Sequence, residues 1–213
     1  MSIDASLLRQ QPPPGLRERK KLRTRRILQT EALRLFEARG YEATTIEDIA
    51  AAAEMSPRTF SRHFRAKEDV VLWDDFAPTF FELFARRPAD EPLAVSIGEA
   101  IRDGLRSIGP EDRARMQRRM RLIYSTPALR ERGYPQLGGM MDAFAGFVAR
   151  RLSLPSDDLR PRIFAGALMG GLVALFELWQ EQGGEVEEDA LDILFGSLDF
   201  ALLAGSPKPG SQQ

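Results

Sequence analysis

Two helix-start signals stand close together in the first third of the chain. Thr44-Thr45 precedes Ile46, with Glu47 and Asp48 in the turn that follows, and Ser56 precedes Pro57. A hydroxyl just before a helix accepts a hydrogen bond from an amide that has no intrahelical partner. Acids in the first turn oppose the positive end of the helix dipole, and proline suits the first helical position because its missing N–H is not needed there. Between and after these signals there is room only for one short helix, a turn and a second short helix. Ile46, Ile49, Ala50 and Ala53 form the buried face of the first, and Phe60 and Phe64, one turn apart, that of the second. Two such helices with a short turn between them make a helix-turn-helix.

A longer helix precedes the pair. Ile27, Leu28, Ala32, Leu35 and Phe36 fall on one apolar stripe, and Gly40 stops the helix. Its first half carries Arg17, Arg19, Lys20, Lys21, Arg23, Arg25 and Arg26. Like charges at this density weaken an isolated helix and make sense where a partner neutralises them. Residues 16–67 hold 13 basic and 7 acidic side chains, residues 68–213 hold 16 and 23, and the whole chain is −1. A basic end on an acidic body is the asymmetry of a protein whose one end meets a polyanion.

Beyond Lys67 helical patterning continues. Helices are predicted near 67–86, 92–107, 111–124, 127–152, 157–181 and 187–204, with Gly133, Pro135, Gly138 and Gly139 breaking or kinking the fourth. Runs of alternating apolar and polar residues are missing. The predicted fold class is all-α: an N-terminal three-helix helix-turn-helix domain on a larger helical domain. The boundaries are 1–15 for a flexible Pro-rich arm, 16–66 for the DNA-binding domain, 67–204 for the helical body and 205–213 for a disordered tail. The chain of 213 residues lacks cysteine and has one histidine, which excludes disulfides, thiol nucleophiles, zinc fingers and multi-histidine metal sites. It holds no Gly-rich phosphate loop and no GxSxG, and its carboxylates are scattered. The expectation is a protein that is not an enzyme and has no metal and no cofactor. With no apolar run of about 18 residues and no secretory signal, a cytoplasmic, nucleoid-associated protein without membrane partner is expected.

The stretch 27–71 resembles the TetR-type bacterial transcriptional regulators. The residues that carry the resemblance are Phe36, Gly40-Tyr41, Thr44-Thr45, Ile49-Ala50, Ser56, Phe60, His63-Phe64 and Lys67-Glu68, in that order and at the family's spacing. The turn slot that commonly holds glycine is Glu54 here, and a positive φ at that residue costs about 1 kcal/mol. The resemblance implies a ligand-responsive repressor that binds a palindromic operator in double-stranded DNA as a homodimer. The alternative is a ligand-free DNA-binding or partner-recruiting module.

A recognition helix presents its N-terminal residues to base edges in the major groove. Arg58, Thr59 and Arg62 are the candidates, and arginine suits guanine O6 and N7. Thr44, Thr45, Ser56, Phe60, His63 and Lys67 are the candidate phosphate contacts. For Phe60 a core position stands beside that reading, and for His63 local packing does. The resemblance implies that the larger helical domain is a ligand-binding and dimerisation domain, and there Trp73, Phe76, Phe80, Met120, Tyr124, Phe144, Phe147, Phe164, Leu168 and Phe176 are expected to line a pocket for a small apolar or amphipathic effector, with plain core packing as the alternative for each. The 157–181 helix is apolar on two sides, which requires two partners; the resemblance implies that one is the same helix of a second subunit, and a well-buried core helix is the alternative. Gly166, Gly170, Ala174 and Leu178, with Leu191, Leu194 and Leu198 of the last helix, are the expected dimer interface.

Overall fold

The computed structural model describes residues 15–155, 157–181 and 192–197. Among the described residues all regular structure is helical: α1 Leu16–Arg39, α2 Ile46–Ala52, α3 Pro57–His63, α4 Lys67–Leu72, α5 Ala77–Ala85, α6 Leu93–Ser107, α7 Pro110–Ser125, α8 Pro127–Arg151 and α9 Leu159–Glu181. Residues 192–197 are helical as well. The all-α expectation holds. Its last helix, 187–204, and the terminal arm and tail lie largely or wholly outside the described residues.

The described chain forms two compact units, one of residues 15–77 and 107–135, the other of 78–106, 136–155, 157–181 and 192–197. The first unit therefore contains the three N-terminal helices together with α4, α7 and the start of α8, whereas the sequence boundary was drawn at 66/67.

The core of this unit is built from the predicted stripes. Leu28, Ala32, Leu33, Leu35 and Phe36 of α1 meet Ile49 and Ala50 of α2, Phe60 of α3, Phe64, and Val70 and Val71 of α4. Gly40 ends α1 at φ 87°, its amide bonded to the Phe36 carbonyl at 2.9 Å. Thr45 caps α2 in a reciprocal box: its hydroxyl accepts from the Asp48 amide at 3.1 Å, and the Asp48 carboxylate accepts from the Thr45 amide at 3.0 Å. Ser56 caps α3 by accepting from the Thr59 amide at 3.1 Å, with Pro57 in the first helical position.

Two expectations are corrected. The predicted helix 67–86 is two helices. Asp74 interrupts it, because its Oδ1 accepts from the amides of Phe76 at 2.8 Å and Ala77 at 3.3 Å and so caps a new helix, α5. Conversely, the break expected at Gly133, Pro135, Gly138 and Gly139 is absent, and α8 is one continuous helix with Pro135 inside it. Proline removes one amide donor from its ladder, and Gly133 lets the backbone lie close to Leu72, whose Cδ2 would stand 3.3 Å from an added Cβ.

In the second unit, Phe81 and Phe84 of α5, Phe144 and Phe147 of α8 and Phe164 of α9 pack with Phe80, and their neighbouring ring centroids lie 4.9–6.3 Å apart. Arg151 lies 5.3 Å from the Phe84 centroid and donates to the Ser96 hydroxyl at 2.7 Å. Arg87 pairs with Glu91, and its hydrogen bond and that of Ser96 hold the Glu91 carboxyl down at about 2.

Candidate nucleic-acid interface

The turn between α2 and α3 is closed by two backbone bonds. The Glu54 amide donates to Ala51 at 3.0 Å and the Met55 amide to Ala50 at 2.8 Å. This paired pattern at a helix C-terminus needs a left-handed residue between its bonds, and Glu54 supplies it at φ 55°. The turn thus has the geometry that glycine would adopt without strain.

With the turn fixed, α3 buries Phe60 completely and turns Pro57, Arg58, Ser61 and Arg62 to solvent. Arg58 and Arg62 are one turn apart and have no carboxylate partner among the described residues. Thr59 is half-buried, and its hydroxyl shares a hydrogen bond of 3.0 Å with that of Ser56. Thr45 and Ser56 are exposed beside this surface.

Three of the expected phosphate contacts have other work. Phe60 is fully enclosed and packs against Phe64 at 5.7 Å between centroids, so it is core and touches no phosphate. Thr44 is 1% exposed, and its hydroxyl donates to the Gly40 carbonyl at 2.9 Å, so it too is internal. The Lys67 ammonium donates to the carbonyls of Tyr41 at 2.9 Å and Thr44 at 3.3 Å and lies 4.3 Å from the Tyr41 ring centroid. It ties α4 to the α1–α2 connection. Tyr41 in turn donates to Glu68 at 2.6 Å, and burial followed by that bond pushes its hydroxyl well above the usual tyrosine range.

His63 is half-buried, with Nδ1 enclosed and unpartnered. Burial, and then the charges of Arg62, Arg25 and Lys21, hold its proton affinity below that of a free imidazole. Arg25, which sequence reasoning did not single out, lies 5.5 Å from the Phe64 centroid and 5.6 Å from that of Trp73. No signal in the sequence marks it among its basic neighbours.

The expected effector residues are divided between the two units. Phe80, Phe144, Phe147, Phe164 and Leu168 belong to the second unit, whereas Trp73, Phe76, Met120 and Tyr124 belong to the first. Trp73 packs edge-on to Phe64 at 6.1 Å, as part of the helix-turn-helix core. The side chain of Phe176 lies outside the described residues. Of the expected dimer residues, Gly170, Ala174 and Leu178 are exposed on α9, on one stripe with Ile163, while Gly166 is half-buried near Met141. Leu191 and Leu198 lie outside the described residues. Leu194 is half-buried against Gly171. Among the described residues no group of acids and histidine is arranged to hold a metal, and no helix is long and apolar enough to cross a membrane.

Residues 28–72 match the family described as bacterial regulatory proteins, tetR family, and residues 91–202 match the MftR C-terminal domain. The transcriptional regulator TcmR of Streptomyces glaucescens is 37% identical over 93% of this chain and 92% of its own length. A TetR-family structure from Syntrophomonas wolfei superposes with a TM-score of 0.62 at 18% identity, over 89% of this chain and 99% of that one. NalD of Pseudomonas aeruginosa, a repressor of a multidrug efflux pump, does so at 0.57 and 19%, over 90% of this chain and all of that one. The exposed arginines on α3, the turn that sets them and the helical body agree with these matches: the chain belongs to the TetR family of DNA-binding transcriptional regulators.

Proposed function

We propose that this regulator acts as a homodimeric repressor on a palindromic operator and that a small apolar or amphipathic effector releases it. The observation that carries the DNA half is α3, which buries Phe60 beneath it and offers Arg58 and Arg62 to solvent with no carboxylate to occupy them. Arg58, Thr59 and Arg62 read bases in the major groove. Thr45, Ser56 and His63 hold the flanking phosphates. The working domains are the 16–66 reader and the 67–204 body, and the site of action is the nucleoid in the cytoplasm. No catalytic role is assigned to any residue.

The apolar stripe on α9 supports the dimer. Ile163 is 68% and Leu178 45% exposed, with Gly170 and Ala174 between them. A second copy of α9 covers this stripe in an isologous contact, and two readers so joined demand an inverted repeat. The effector seat is the phenylalanine cluster of the second unit, where Phe80 and Phe147 are only half-buried. Dense ring packing there is also what a ligand-free module requires, so the assay has to separate the two readings. Random duplexes retained by the purified protein are sequenced, and the enriched sites are then challenged with a metabolite extract. An inverted repeat released by extract is the expected result. Retention without sequence enrichment overturns the operator reading, and release by no extract favours the ligand-free module.

A further inference from the structure

α1 starts at Leu16, but its first buried residue is Leu28. At 1.5 Å per residue, about 18 Å of helix precedes the core. Seven of its twelve residues are cations and one, Glu18, is an acid. Arg26 is engaged by Asp75 at 2.7 Å. The Lys21–Glu18 pair is 3.9 Å long and exposed on both sides, a contact of little strength. Arg17, Arg19, Lys20 and Arg23 have no carboxylate partner among the described residues.

Arg17, Lys21 and Arg25 follow one another at intervals of four and share one face of α1. That stripe ends at α3. Arg25 donates to the His63 carbonyl at 3.4 Å, its guanidinium is held on the rings of Phe64 and Trp73, and its Nε is enclosed without an acceptor, as is Nδ1 of His63. The groups that face the His63 ring are Lys21 and Arg25 from α1 and Arg62 from α3, all of one sign. The fold gathers three cations beside a half-buried imidazole, and among the described residues no carboxylate pairs with Arg25 or Arg62, so the cluster favours an anion from outside the chain.

We propose that Arg17, Lys21 and Arg25 of α1, with Arg62 and His63 of α3, form a second seat for the DNA backbone, which continues the footprint of the recognition helix along α1 and takes up a proton at His63 when a phosphodiester docks. The inference rests on the DNA-binding reading above. A phosphodiester supplies the negative charge that the cluster lacks. It favours imidazolium over imidazole, so proton and phosphate bind together. Each cation that meets a phosphate releases a counterion and steepens the salt dependence by about 0.9.

The test uses a labelled duplex of random sequence and about 30 base pairs, titrated by anisotropy between about 50 and 200 mM salt, at about pH 6 and about pH 8 on either side of the ordinary histidine value. The variants are the double Arg17→Gln/Lys21→Gln, His63→Gln, and the control Arg34→Gln, whose cation is paired with Glu31 further along α1. All must melt like wild type by circular dichroism. The double variant is expected to bind with a slope shallower by about two per subunit, and the control with an unchanged slope. Wild type is expected to bind several-fold more tightly at the lower pH, and His63→Gln to lose that gain. A double variant with the wild-type slope, or a wild type indifferent to pH, overturns the proposal while leaving DNA binding in place. A wild type that ignores duplex DNA at every salt overturns the DNA reading and the proposal with it.

Discussion

Arg115 grips Asp75 with both arms of its guanidinium, Nη1 to Oδ1 at 3.2 Å and Nη2 to Oδ2 at 2.8 Å, although Arg115 is only 8% exposed. The pair joins α7 to the connection that follows α4. Arg26 of α1 reaches the same carboxylate at 2.7 Å, and Arg115 also donates to Gln29. The Gln29 amide donates to the carbonyls of Val70 at 2.8 Å and Trp73 at 2.9 Å, at the C-terminal end of α4 where carbonyls lack intrahelical partners. This network binds α1, α4 and α7 into one unit.

Asp75→Ala is therefore expected to strip the buried Arg115 guanidinium of its two-armed partner, leaving it only the Asp112 carboxylate at 2.8 Å, and to cost about 1.5–3 kcal/mol. Burial pushes the Asp75 carboxyl up, but the hydrogen bonds and charges of Arg115 and Arg26 outweigh it and hold the carboxyl below the ordinary aspartate value. A carboxylate held low in the folded state stabilises it fully above its unfolded value of about 3.9 and loses that contribution as pH falls through the folded value. Urea unfolding across the acid range is expected to show a shallower acid loss for the variant than for wild type. Equal midpoints at neutral pH contradict the network's role.

Glu54→Gly is expected to stabilise the helix-turn-helix. Glu54 holds φ 55° in the turn, and a side chain there costs about 1–2 kcal/mol relative to glycine. Glycine's extra freedom in the unfolded chain returns part of this, for a net gain of about 0.5–1 kcal/mol. Thermal unfolding reads it as a rise of a few degrees. An unchanged or lowered midpoint means that the Glu54 side chain has a stabilising contact that offsets its backbone strain.

The α9 stripe separates assembly from folding through two adjacent glycines. An added Cβ at Gly170 meets nothing within 4 Å, whereas at Gly171 it would collide with Leu194 Cδ1. Gly171 thus faces the 192–197 segment, and a side chain there disturbs the unit's own packing. Gly170→Asp is expected to give folded monomers, because it puts a charge only on the face that the second copy covers. Gly171→Asp is expected to lower the melting temperature whatever the oligomeric state. Light scattering and thermal melts, run together, check both. A Gly170→Asp protein that stays dimeric moves the interface off this stripe.

What was legible in the sequence was what a few neighbouring residues decide. Thr45, Ser56-Pro57 and Gly40 act within one turn of backbone, so the starts of α2 and α3 and the end of α1 could be read, whereas the left-handed Glu54 was marked only by the family's glycine slot. The break at Trp73–Phe76 had a local signal that went unused: Pro78 stands in the first turn of α5, where its missing amide is not needed, and Asp74 before it caps that helix by accepting from two amides. Trp73 was assigned to an effector pocket on composition, yet it packs on Phe64, a choice made by tertiary packing. Arg115 and Arg119 carry no mark in the sequence of their buried pairing, because only the fold brings Asp75 and Asp74 to them. Lys67 looked like a phosphate anchor for the same reason, since its acceptors are carbonyls over 20 residues away.

Arg58 offers the sharpest test of base reading. It stands in the first turn of α3, exposed and without a carboxylate partner among the described residues, where a recognition helix comes closest to base edges. Arg58→Ala removes no internal hydrogen bond that the structure records, so folding and dimerisation are expected to persist. On the selected operator the variant is expected to lose about 1–3 kcal/mol and to relax preference at one base pair per half-site. On random duplex the loss is expected to be much smaller, because the phosphate contacts remain, and the salt slope should change little. Paired titrations of operator and random duplex, repeated with the base pair under suspicion exchanged, measure both terms. An equal loss on the two duplexes, with a shallower salt slope, makes Arg58 a backbone anchor and transfers base reading to Thr59 and Arg62.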